Sequence, residues 1–129
     1  MNSRFFLVDV FAEQPCTGNQ LAVVVSDEPL AEDRMQSLAA ETNYSETTFV
    51  MPRVEANGAY QVRMFTPARE IAFAGHAILG TAWVLRHFVA ASSPHKLHLD
   101  LAVGPVLVNF EPDPHLGELA WFIAPPSRL

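Results

Sequence analysis

The segment Gly75–Val89, read as Gly-His-Ala-Ile-Leu-Gly-Thr-Ala-Trp-Val-Leu-Arg-His-Phe-Val, fits a helix that is apolar on nearly every side. No other feature constrains the fold as strongly, because a helix without a polar face must be enclosed by other elements. It is not a membrane span: at about 1.5 Å per residue the apolar run from Ala77 to Ala91 falls short of a hydrocarbon layer of roughly 30 Å, and Arg86 and His87 interrupt it. With 129 residues, 50% of them hydrophobic, the chain can bury one core and is the size of one ordinary domain.

The enclosing elements are legible as strands. Arg4 to Phe11 is almost continuously apolar, and Leu21 to Val25 repeats that character after Pro15, Gly18 and Asn19 supply a turn. Ser26 and Asp27 offer an N-cap and Pro29 suits a first turn. Ala31, Met35, Leu38 and Ala39 then recur at helical spacing, so an amphipathic helix is expected to end near Asn43. Thr47 to Met51 and Tyr60 to Thr66 read as a hairpin turning at Asn57-Gly58, with Tyr60, Val62 and Met64 alternating against Gln61 and Arg63. Leu97, Leu99, Leu101 and Val103 alternate with polar residues, Gly104-Pro105 turns the chain into Val106 to Phe110, and Leu119 to Ile123 reads as a last strand. Many strands and two helices, one of them apolar all round, predict an α+β domain: a strongly curved sheet wrapped on a central helix, with the other helix outside.

Composition narrows the partners. A formal charge of −6 with only 8 Lys and Arg leaves no basic stripe for phosphates, so nucleic acid is not expected. Cys16 is alone and cannot form an intramolecular disulfide, and Met-Asn-Ser-Arg is a polar start rather than a secretory leader, which predicts a cytoplasmic protein with no membrane partner. The sequence contains no glycine-rich phosphate loop, nucleophile elbow or dinucleotide fingerprint, so no organic cofactor is expected. His87, His95, His98 and His115 form no recognisable ligand set, since His95 and His98, three apart on a strand, point to opposite faces; no metal is expected.

Chemistry concentrates in Arg69–Gly80, Arg-Glu-Ile-Ala-Phe-Ala-Gly-His-Ala-Ile-Leu-Gly, where a strand end runs into the helix and the first turn carries Gly75 and His76. A helix start with a histidine beside bare backbone amides suits an anion or a proton. Upstream lie Asn43-Tyr44-Ser45-Glu46-Thr47-Thr48-Phe49, Asp9-Val10-Phe11 and Gly18-Asn19-Gln20-Leu21-Ala22-Val23-Val24. In this order and spacing the segments resemble the phenazine-biosynthesis PhzF-like family, and the resemblance covers essentially the whole chain. Family members are longer and consist of two similar halves, so the chain looks like a first half, with residues 1–124 as the N-terminal domain and 125–129, opening Pro125-Pro126-Ser127, as a linker. The implied fold is one half of the diaminopimelate-epimerase-like architecture, a barrel-like sheet around a central helix.

The resemblance also assigns residues. Glu46 aligns with the family's acid/base glutamate, although from the residues alone a strand-edge or capping glutamate is the plainer reading. A carboxyl in a partly dry pocket can both take and return a proton near neutral pH. His76 would orient substrate or partner Glu46, the alternative being a histidine that only caps a helix. Gly75 allows close backbone approach, so its amide and its neighbours could hold a substrate carboxylate; simple turn geometry is the alternative. Ser45 and Asn19 are substrate-lining candidates by family position, and both also serve as turn residues. Asp9 lies in an apolar strand and reads as structural. Cys16 precedes Gly18-Asn19, away from the helix start where the two-cysteine racemases of this fold place a thiol, and also reads as structural.

Three positions depart from the common family pattern: Ala72 and Gln20 where proline is usual, and Ile78 where threonine is usual. The family's second half supplies an acidic residue and further substrate contacts across a cleft, so here Glu46 and His76 would line one wall. The first expectation is an isomerase that shifts a proton on a small carboxylic acid without a cofactor, its second wall coming from a homodimer mate or a complementary chain. The other is a catalytically inactive single-domain fragment, or a module that binds a small acid or a protein, with the exposed family interface as a sticky surface.

Overall fold

In the computed structural model, which describes residues 3–10, 19–54, 58–90, 94–115 and 117–123, the chain runs β1 (Ser3–Val10), β2 (Asn19–Ser26), α1 (Glu32–Thr42), β3 (Glu46–Val54), β4 (Tyr60–Phe65), β5 (Glu70–Ile71), α2 (Gly75–Val84), β6 (Lys96–Leu101), β7 (Gly104–Asp113) and β8 (Gly117–Trp121). All eight strands join one sheet in the order β1-β2-β3-β4-β6-β7-β8, with β5 paired to β4. Neighbours are antiparallel except β2 with β3 and β4 with β6, which are parallel. Those two connections are the ones that contain helices, as parallel pairing requires a crossover.

The sheet curls around α2 as a half-barrel, the α+β arrangement expected from the apolar helix. Strand alternation sorts side chains to two sides. On β3, Val50 joins Leu21, Val23, Val62, Met64, Leu99 and Val108 in the core that encloses Ala77, Ile78, Ala82 and Val84 of α2. Phe49 points the other way, into a smaller core with Val24, Met35, Ala39 and Phe65, where α1 covers the outer face. Phe49 and Phe65 meet edge to face at 5.5 Å.

Several local expectations are corrected. Helix α1 starts later than the expected cap, with Ala31 at the N-cap position and no side-chain cap. The Ser26 hydroxyl instead accepts from the Glu28 N–H and donates to the Glu28 carbonyl, so a short polar side chain closes its own turn in place of capping a helix. The helix ends as expected: Asn43 adopts φ 59° and donates its N–H to the Ala39 carbonyl. Helix α2 gives way after Val84 to a π-helical turn over Leu85–Val89, closed by the Ala90 N–H donating to the Leu85 carbonyl. Arg86 is nevertheless buried there, 2.7 Å from the Glu118 carboxylate and stacked 4.8 Å from the Phe110 ring centroid. Phe11, Pro15, Cys16, Gly18, Asn57 and the 125–129 linker lie outside the described residues, while Gly58, with φ 84°, has the left-handed backbone expected of that turn. No helix among the described residues is long and apolar enough to cross a membrane.

Candidate active site

Glu46 opens β3, and with a period of two it shares a face with Thr48 and Val50, the face turned toward α2. His76 is the second residue of α2. These two side chains, 30 residues apart in sequence, come together with His76 Nε2 2.9 Å from Glu46 Oε2. Both are largely withdrawn from solvent, with side-chain exposures of 17% and 13%. A carboxylate and an imidazole at this separation can pass a proton between them, or hold it on one while the other meets a ligand.

The other candidates take different places. Gly75 begins α2, and no side chain caps the helix at Ala74, so the first-turn amides are not occupied by a cap. A Cβ on Gly75 would meet Phe122 Cζ only at 3.9 Å, ordinary contact, so packing does not itself demand a glycine beside His76. Ser45 is exposed next to Glu46. The backbone of Asn19 pairs with Val10, but its side chain lies outside the described residues. Asp9 faces a groove of about 500 Å³ between β1, α2 and β8, whose other walls, Leu7, Leu79, Trp83 and Leu119, are apolar. That groove is lined by neither Glu46 nor His76, so it does not coincide with the carboxylate–imidazole pair.

Two features were not anticipated from sequence. Thr48 and Thr81, both buried, form a hydrogen bond of 2.8 Å between β3 and α2. The available signal was Thr48 standing two residues after Glu46, on the same face. The second is Arg63 of β4, which donates to both carboxylate oxygens of Glu70 on β5 at 2.7 and 2.6 Å and to Glu32 of α1. Hydrogen bonding to Arg63 holds the Glu70 carboxyl below its ordinary range, and the Glu70 partner holds the Arg63 guanidinium above its own. This cluster anchors β5 immediately before the loop that leads to His76.

Known proteins resemble this chain in sequence and in architecture. The profile of PhzC-PhzF, described as phenazine biosynthesis-like protein, matches residues 8–128. A trans-2,3-dihydro-3-hydroxyanthranilate isomerase of Pseudomonas aeruginosa is 41% identical over 103 residues, 80% of this chain and 36% of that protein. The crystal structure of a PhzF-family protein from Enterococcus faecalis superposes with a TM-score of 0.78 at 39% identity, over 86% of this chain and 41% of that one. A predicted epimerase from Pseudomonas aeruginosa gives a TM-score of 0.77 at 34% identity, over 92% of this chain and 42% of that one. The chain thus spans less than half the length of these relatives. By sequence and by fold, it belongs to the phenazine biosynthesis-like PhzC-PhzF family.

Proposed function

We propose that this chain carries the acid/base wall of a PhzF-like isomerase. In this reading Glu46 takes a proton from one carbon of a small carboxylic acid and returns it to another, while His76 holds the carboxylate in place and the open first turn of α2 at Gly75 receives the substrate's own carboxylate. Ser45 and Asn19 line the same wall. The reaction uses no cofactor, because the proton moves between positions of one molecule and the carboxylate is both acceptor and donor.

The observation that carries the reading is the 2.9 Å contact between Glu46 and His76, formed by a strand start and a helix start that the fold brings together. The named isomerase among the relatives supports the reaction class, and its greater length supports an opposite wall from a second half. A second copy of this chain is one source of that wall, since two similar halves can be mimicked by a twofold pair. A complementary chain is the other.

The test is solvent exchange. The purified protein is sized by light scattering and incubated in deuterium oxide with trans-2,3-dihydro-3-hydroxyanthranilate. Deuterium appearing in the acid with the native protein, and lost in Glu46→Gln, supports the reading. A monomer that leaves the acid unlabelled, with or without a complementary half, favours a binding domain instead.

A further inference from the structure

Thr48 and Thr81 are each 0% exposed, and their hydroxyl oxygens are 2.8 Å apart. The strand neighbours of Thr48 are Val23 and Met64, and Ala77, Ile78 and Ala82 flank Thr81 on α2; all are core hydrocarbon. A hydroxyl in such surroundings is unfavourable unless it is paired, and two valines would fill the same space without that requirement. The polar pair therefore stands where packing alone would not call for one.

Its location matters more than its burial. Glu46 and Thr48 are two residues apart on one face of β3, about 6.6 Å along a strand. His76 and Thr81 are five residues apart on α2, about 7.5 Å along a helix. The two hydrogen-bonded contacts, carboxylate to imidazole and hydroxyl to hydroxyl, thus lie two residues apart on β3 and a little over one turn apart on α2. Hydrocarbon contacts are non-directional and tolerate small slides of one element past another, whereas a hydrogen bond weakens steeply with distance and angle.

We infer that Thr48 and Thr81 are positioning residues for the Glu46–His76 pair, their hydrogen bond fixing the slide and roll of α2 against β3 and with it the separation of carboxylate and imidazole. The inference rests on the reading of Glu46 and His76 as the working pair. Proton transfer needs its partners within hydrogen-bond reach, so a helix free to slide would make the pair intermittent.

The imidazole nitrogen signals of His76, recorded by NMR at one fixed pH without substrate, test this in the wild type, Glu46→Gln, Thr81→Ser and the double variant Thr48→Val/Thr81→Val. The double variant keeps side-chain volume and leaves neither hydroxyl orphaned. Glu46→Gln is expected to move the His76 signals, the double variant to move them in the same direction, and Thr81→Ser, which retains a hydroxyl, to leave them in place. A folded double variant with His76 signals at wild-type positions overturns the inference. So does a double variant that fails to fold, because the pair is then holding the core and not the site. Activity retained in Glu46→Gln would instead sink the isomerase reading, an outcome these spectra do not depend on.

Discussion

Gly80 of α2 lies so close to Leu21 of β2 that a Cβ at Gly80 would stand 2.6 Å from Leu21 Cδ2 and 2.9 Å from Val10 Cγ2. Leu21 is wholly buried and is the parallel ladder partner of Glu46, so this contact sets how deep the helix sits beside the site. Alanine normally favours a helix over glycine by roughly 1 kcal/mol. Here overpacking outweighs propensity: Gly80→Ala is expected to lower stability by about 1–3 kcal/mol, read from urea unfolding.

The buried hydroxyl pair predicts a signature in a double-mutant cycle. Thr48→Val alone strands the Thr81 hydroxyl and should cost about 1–3 kcal/mol, whereas Thr48→Val/Thr81→Val should lie close to wild type, because neither group is left unsatisfied. Chemical denaturation of the four proteins checks this, and additive losses would show that the hydroxyls do not pair.

The Arg63–Glu70 contact predicts an acid-dependent term. Arg63 depresses the folded-state pKa of Glu70 below its ordinary value of 4.5, so the unfolded chain binds that proton more readily. The stabilisation is present above about pH 4.5 and fades as pH falls through the depressed folded value. Arg63→Gln should therefore be less stable than wild type at neutral pH, by under about 1 kcal/mol for a pair this open to solvent, and the gap should narrow in acid and in high salt. Thermal melts across the acid range measure it; a gap that widens toward low pH would rule out this origin.

Glu46 and His76 should behave kinetically as one unit. In the assembled enzyme Glu46→Gln is expected to slow deuterium incorporation by about 10²–10⁴-fold. His76→Asn should slow it less, and the double variant should be little worse than Glu46→Gln alone, because groups that act together are non-additive. Multiplicative losses would place the two in separate steps.

Much of the fold was readable because it rests on local periodicity. The two-residue alternation from Tyr60 to Met64 and from Leu97 to Leu101 became β4 and β6, and the apolar run from Gly75 became α2, buried against the sheet at Ala77, Ile78, Ala82 and Val84 but exposed at Trp83. Boundaries decided by competing hydrogen bonds were less legible. Ser26 bonded to Glu28 in place of capping α1, and the buried Arg86 in the π-helical turn depends on Glu118 and Phe110, which lie far along the chain.

By itself the sequence determined that a helix without a polar face had to pack against strands, while Glu46 and His76 stood out as candidates only through the resemblance to a known family. Only the tertiary structure decided that these two meet, that Thr48 meets Thr81 beside them, and that Gly80 is a point of closest approach. Spacing along the chain governs which face a side chain occupies, but distance between elements depends on how α2 seats against β2 and β3. That seating comes from close packing and buried polar contacts among residues remote in sequence, which no local pattern encodes.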